Sequence, residues 1–255
     1  MTGEIEAAED SARWRGCVAL VTGANRGIGL AVARGLAERG LSVLLGSRDP
    51  ARGEAAAEVL RTDGLSARAL PLDLNDDDSV LGAAATVDRE VGRLDVLVNN
   101  AAVKLEFHPS APSHAPLDLV RATYETNVFG TIRVLQAMLP LLARSPSPRI
   151  VNVSSGLGSL TLATTEGTKY RDRPLLSYNT AKAALNSVTV QFANELRHTP
   201  FKVNAVDPGP TDTEMTRGTA ERTAEQGAVA VLRMALLEDD GPTGCFFDEH
   251  GELPW

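Results

Sequence analysis

Cysteine is scarce: the 255-residue chain has only Cys17 and Cys245, set in apolar runs near opposite ends. That placement suggests no disulfide, and two small buried thiols in a reducing compartment account for both. Basic tracts are missing as well. The net charge is −8, and nothing offers the run of cations that neutralises nucleic-acid phosphates. No apolar run approaches membrane-spanning length. The opening MTGEIEAAED is acidic and lacks both the apolar stretch of a secretory signal and the basic character of a targeting peptide. Cys-x-x-Cys and His-Glu-x-x-His spacings do not occur, so no metal site is expected. Without Gly-x-Ser-x-Gly, Ser154-Ser155-Gly156 is not a nucleophile elbow. These absences describe a soluble, cytoplasmic protein with neither a nucleic-acid nor a membrane partner.

What is present is a hydrophobic content of 43%, enough for one sizeable core in a chain of this length. After a polar tail at residues 1–15, β-prone apolar runs at 17–22, 41–47, 67–74, 94–100, 149–155, 201–209 and 244–249 alternate with helical patterns. Ile28, Val32 and Leu36 recur at helical spacing, and Gly40 is placed to end that helix. Asp49-Pro50 reads as a cap and first helical position. Asp76-Asp77-Asp78 opens a helix carrying Val80, Ala84, Val87 and Val91, where acids complement the dipole. A loop at 103–116 holds His108 and His114, read as solvated with substrate contact as the alternative. One long helix is expected beyond it, with Val120, Tyr124, Val128, Leu135 and Leu142 on its stripe. Continuous apolar strands alternating with helices imply α/β architecture: one doubly wound domain over 16–255, a parallel sheet with helices on both faces.

The first strand runs into Thr22-Gly23-Ala24-Asn25-Arg26-Gly27-Ile28-Gly29, and the next helix starts inside that turn. Glycines let the backbone approach a pyrophosphate while the helix N-terminus presents free N–H groups to it. A ribose 2′-hydroxyl is usually held by an acid at the end of the second strand and a 2′-phosphate by arginine. Here that strand ends in Ser47-Arg48, Asp49 being explained as a helix cap. Arg26 adds a second cation. Two solvated surface arginines are the alternative; NADP(H) is the expected cofactor.

Tyr178 and Lys182 lie one turn apart on one helical face. With only three tyrosines and four lysines in the chain, chance pairing at that spacing is rare. An unperturbed tyrosine titrates near ~10, too high for acid–base work near neutrality, and a neighbouring lysine cation lowers it. Ser155, at the carboxyl end of the fifth strand, can polarise a carbonyl oxygen; Ser154 alternates to the other face.

Thr22-Gly23-x-x-x-Gly27-Ile28-Gly29, Asn99-Asn100-Ala101, Asn127, Ser155, Tyr178-x-x-x-Lys182 and Pro208-Gly209 together resemble the short-chain dehydrogenase/reductase family, in family order over nearly the whole chain. VTGANRGIGLAVARGL, GSRDPARGEAA, NVSSGLG and the ending GPTGCFFDEHGELPW are similar to its carbonyl reductases. The resemblance implies a Rossmann-type sheet of seven strands. It makes Tyr178 the acid/base, Lys182 its tuner and ribose ligand, Ser155 the group orienting the substrate oxygen, and Asn127 the holder of a relay water. It brings Gly23, Asn25, Arg26, Gly27, Ile28 and Gly29 to the phosphates, with Ser47 and Arg48 at the 2′ position. Asp73 and Leu74 would meet the adenine, and Asn99 and Ala101 would line the cleft. Pro208, Gly209, Thr211 and Thr213 would stand near the nicotinamide. Two departures bear on substrate shape: Ala102 replaces the usual glycine, and 22 residues separate Ser155 from Tyr178. The implied activity is NADPH-dependent reduction of a small ketone or aldehyde. Alcohol oxidation, a non-redox isomerisation or dehydration, and an idle NADP-binding regulator are the alternatives. The polar stretch 211–223 suits a lid over that site.

Overall fold

Val18–Thr22 forms β1, with every residue buried, as an unalternating apolar run must be when helices cover both faces. It lies inside an eight-stranded sheet of order β3-β2-β1-β4-β5-β6-β7-β8. The computed structural model describes residues 13–106 and 111–255. The remaining strands are β2 (Ser42–Ser47), β3 (Ala67–Pro71), β4 (Val96–Asn99), β5 (Arg149–Val153), β6 (Lys202–Val206), β7 (Phe246–Phe247) and β8 (Glu252–Leu253). β1 to β7 pair in parallel, the seven strands expected. β8 adds an antiparallel edge, with Phe246 opposite Leu253. Two residues carry no readable period, so this last strand was invisible in the sequence.

The helices are α1 (Gly27–Glu38), α2 (Pro50–Thr62), α3 (Asp77–Glu90), α4 (Leu117–Tyr124), α5 (Thr131–Leu142), α6 (Leu160–Thr164), α7 (Leu176–Glu195) and α8 (Ala224–Ala235). One face of the sheet packs on α1, α2 and α8 through Val32, Leu36, Leu60 and Val231. The other packs on α3 and α5 through Val80, Val87, Val134 and Leu135, with Ala193 of α7 joining them. From β1 the chain winds outward to β2 and β3, then crosses back to β4 on the opposite side. The crevice beyond the carboxyl ends of β1 and β4 is therefore the switch point where such sheets take ligands.

Several expectations need correction. The long helix is not one α-helix. Glu125–Gly130 forms a π-helical stretch between α4 and α5, where Gly130 sits so close to Leu74 that a Cβ would come within 2.8 Å of the leucine side chain. The folded unit begins before residue 16, because Trp14 is 2% exposed and belongs to the core, and Arg13 pairs with Asp239 at 3.0 Å. On α3 the buried residues are Val80, Ala83 and Val87, so Ala83 takes the place expected for Ala84. Cys17 and Cys245 are free thiols as expected, but only half-buried.

Asp49 does cap α2, its carboxylate accepting from the N–H groups of Ala51 at 3.0 Å and Arg52 at 3.2 Å. Asp49→Ala should lower the unfolding free energy by about 1 kcal/mol in a urea titration, with Asp49→Ser recovering most of it. An unchanged midpoint in the alanine variant would refute the cap.

Candidate active site

The turn after β1 is held by its neighbours more than by itself. Asn100, just past β4, donates its side-chain amide to the carbonyls of Thr22 at 2.9 Å and Gly23 at 3.2 Å. In return the Thr22 hydroxyl accepts from the backbone N–H groups of Asn100 and Ala101, both at 3.0 Å. Gly23 adopts φ +64, and a Cβ there would come within 2.9 Å of the Ala101 Cα; at Gly29 it would come within 2.5 Å of the Gly23 carbonyl. No other residue fits either position. The result is a backbone cradle at the start of α1, whose first turn carries no acidic residue that would repel an anion.

A cavity of about 640 Å³ extends from this cradle across the strand ends. Gly23, Asn25, Arg26, Gly27, Ile28 and Gly29 line it, with Arg48, Asp73 and Leu74. Ala101, Pro208, Thr213, Tyr178 and Lys182 line it too. These residues come from the segments after β1, β2, β3, β4 and β6 and from helix α7. Arg48 is exposed, and Arg26 makes a close ion pair with Glu214, which ties the 211–223 stretch to the phosphate loop. The base of that stretch is fixed by a bridge between Thr211 and Arg222. The cradle, the two arginines and the cavity's reach to Tyr178 fit a phosphorylated dinucleotide.

Tyr178 is 8% exposed and Lys182 2%. The Lys182 ammonium donates to the Val153 carbonyl at 2.6 Å and stands 5.7 Å from the Tyr178 ring centroid. Ser155 caps a short turn at Gly156–Gly158, accepting from the Leu157 N–H at 3.3 Å, and hydrogen-bonds the Tyr178 hydroxyl. Ser154 donates to Asn186 at 2.5 Å and lines the cavity, whereas Ser155 does not. The expected lowering of the tyrosine is not what the folded protein produces. Burial raises Tyr178 above its ordinary value, the charge of Asp207 adds to this, and the bond to Ser155 opposes it. Burial also pushes Lys182 down to about 8, against the pull of Asp207. Both groups are so enclosed that desolvation is the largest cause of each shift.

Some expected site residues are occupied in other ways. Asn127 is buried in the π-helical stretch, and its amide makes a two-way pair with Val103, accepting from its N–H and donating to its carbonyl, both at 2.8 Å. One of its two amide N–H groups and one oxygen lone pair are committed in this way, and the pair shapes the loop after β4. Asn99 faces away from the cavity: it donates to Asn152 at 2.9 Å, which donates to Thr189 at 2.9 Å, strapping β4 to β5 and α7. Strand alternation makes Asn99 and Asn100 point in opposite directions, so the second asparagine of the pair meets the cleft. Ser47 is buried, its hydroxyl donating to the Asp49 carbonyl at 2.8 Å. Thr211 is buried against Gly227, and Gly209 turns at φ +70 beside Arg222; neither lines the cavity. His114 is exposed, and His108 lies outside the described residues. No metal-ligand cluster occurs among the described residues, nor any helix long and apolar enough to cross a membrane.

Sequence reading missed two buried acids. Glu106 accepts from the Ser177 N–H at 2.7 Å and the Ser177 hydroxyl at 2.5 Å, capping the helix that carries Tyr178 from 71 residues away. No local side chain caps that helix. Its charge also suits the positive end of the helix dipole. Asp207, the second, stands directly before Pro208-Gly209. Neither has a local sequence signal, since each acts across the fold.

A backbone cradle for phosphates and a buried Tyr–Lys pair facing one cavity at the switch point define a dinucleotide-dependent oxidoreductase. The family model described as short chain dehydrogenase matches residues 17–224. The chain is 33% identical to (+)-neomenthol dehydrogenase of Arabidopsis thaliana over 94% of its length and 97% of that protein. It is 32% identical to carbonyl reductase [NADPH] 1 of Bos taurus over 94% of its length and 98% of that protein. The crystal structure of NADPH-bound carbonyl reductase from chicken fatty liver matches with a TM-score of 0.81 at 27% identity, covering 94% of this chain and 100% of that one. The protein belongs to the short-chain dehydrogenase family, as its motifs implied.

Glu106→Ala should destabilise the fold by about 1–3 kcal/mol, the usual cost of orphaning buried donors, measured by denaturant unfolding. A midpoint that does not move would mean that Ser177 finds another acceptor.

Proposed function

We propose that the protein is an NADPH-dependent reductase that transfers a hydride to the carbonyl carbon of a small ketone or aldehyde, with Tyr178 protonating the carbonyl oxygen. The observation carrying this reading is that Tyr178, hydrogen-bonded to Ser155, and Lys182 line the same cavity as the glycine cradle. NADPH use is supported by the two arginines beside the cradle, Arg26 and Arg48, and by the relatives named for it.

When bound, the reduced nicotinamide supplies the hydride. Gly23, Asn25, Gly27, Ile28 and Gly29 hold the pyrophosphate by backbone N–H groups, and Arg26 and Arg48 hold the 2′-phosphate. Arg26 must then exchange Glu214 for phosphate, which links cofactor arrival to the 211–223 stretch. Asp73 and Leu74 border the adenine, and Pro208 and Thr213 border the nicotinamide. Lys182 binds the ribose through its ammonium. Ser155 and Tyr178 grip the substrate oxygen from two sides, and the Tyr178 proton moves onto that oxygen as negative charge develops there.

Incubation with NADPH or NADH and a panel of carbonyl compounds tests the reading. NADPH should be consumed well ahead of NADH, and Tyr178→Phe should abolish turnover while NADPH binding persists. Substantial turnover by the Tyr178→Phe protein would reassign the proton donor.

The pH dependence follows from Lys182, held at about 8 against an ordinary 10.5. Its ammonium is present below that value and lost as pH rises through it. NADPH affinity should therefore weaken as pH passes about 8, and Lys182→Met should flatten that dependence. Affinity that stays constant up to pH ~10, the ordinary lysine range, would exclude the ammonium as ribose ligand.

A further inference from the structure

Three ties pin the chain that leaves β4. Asn100 is bonded to Thr22 and Gly23. Val103 is gripped through both of its backbone polar groups by Asn127. Glu106 is bonded to the first turn of α7. The residues between these ties, Ala101 with Ala102 and Lys104 with Leu105, line the same cavity as Tyr178. A chain fastened at every third residue has little room to slide, so it stands as a wall of the site.

The third tie reaches the reacting tyrosine itself. Ser177 and Tyr178 are the second and third residues of α7, and their N–H groups have no carbonyl to bond within the helix. A polar side chain at the cap position normally serves them, but Leu175 stands there. Glu106 serves them instead. Its Oε2 accepts from the Ser177 N–H at 2.7 Å, the Ser177 hydroxyl at 2.5 Å and the Tyr178 N–H at 3.4 Å. Its other oxygen is buried with no partner among the described residues, so one atom carries the whole connection. Glu106 is 6% exposed and Ser177 fully buried.

We propose that Glu106 is a positioning residue for the reduction: its length fixes Tyr178 against the Lys104–Leu105 wall and so sets both the rate and the range of carbonyl compounds accepted. The inference rests on the reading of Tyr178 as proton donor. The backbone of that residue hangs from the Glu106 carboxylate, which also ends the wall. A misplacement of about 1 Å at a reacting group costs on the order of 10²-fold in rate. Reach matters here more than charge, because what the three donors need is an acceptor oxygen at one point, and an amide supplies that too. The phosphate cradle, on β1 and α1, is held by Asn100 and Thr22 and is independent of this tie. Lys182 keeps its own bond to Val153.

Two variants separate reach from charge. Glu106→Asp is one methylene shorter, and Glu106→Gln keeps the length and an acceptor oxygen without the charge. Each is checked for folding by circular dichroism and thermal melting. Amide exchange is then followed at 103–105 and 176–179, a measurement that requires no turnover. In Glu106→Asp both segments should exchange faster together while the rest of α7 keeps its protection. Its kcat should fall ~10–100-fold, KM should change unequally between small and bulky carbonyl compounds, and the NADPH dissociation constant should hold. Glu106→Gln should restore turnover and the original substrate profile. A folded aspartate variant with unchanged kcat, or a glutamine variant no better than aspartate, would overturn the proposal and leave Glu106 a cap for stability alone. Faster exchange at 176–179 without any at 103–105 would overturn it equally, since the carboxylate would then join nothing to the wall. Failure of the donor reading would appear separately, as turnover surviving in Tyr178→Phe.

Discussion

The bond from the Lys182 ammonium to the Val153 carbonyl, 2.6 Å long in the interior, constrains most of what surrounds it. Burying an ammonium costs several kcal/mol unless its protons find partners. The carbonyl at the last residue of β5 supplies one of them. That contact requires α7 to lie across the strand end at a fixed height. Its placement is reinforced at several points: Gly158 abuts the Lys182 backbone so tightly that a Cβ would come within 2.7 Å of it, Asn186 receives Ser154, and Glu106 holds the first turn. With the helix so placed, Tyr178 has nowhere to go except beside Ser155.

A second set of ties brings the cofactor end to meet it. Asn100 and Thr22 exchange hydrogen bonds between the ends of β4 and β1, and the glycines leave no space for side chains between them. Asn127 then fixes the chain beyond β4 by grasping both polar groups of Val103. It can do so because a π-helical stretch turns it inward, a local departure that often marks functional positions. Loops that would otherwise be mobile become walls of a cavity.

Much of this was legible beforehand. All seven parallel strands, the capped starts of α2 and α3, and the loop-helix junction at Gly23 to Gly29 followed from apolar period, cap chemistry and glycine placement. So did the clustering of Ser155, Tyr178 and Lys182. The misses share a physical cause. The roles of Glu106 and Asp207 depend on partners far along the chain, and the fate of Asn99 against Asn100 depends on which face of β4 each side chain takes. The two-residue β8 is too short to show a period, and the π-helical stretch keeps a helical hydrophobic pattern on either side.

The sequence by itself therefore determined the parallel α/β architecture, the glycine turn at the start of α1 and the one-turn spacing of Tyr178 and Lys182, because each is written in short-range spacing and residue type. Tertiary structure alone decided how completely those side chains are withdrawn from water. Desolvation depends on what encloses a group, and only the fold encloses Tyr178 and Lys182 so completely that burial raises one and lowers the other, with the carboxylate of Asp207 brought from another strand to act on both.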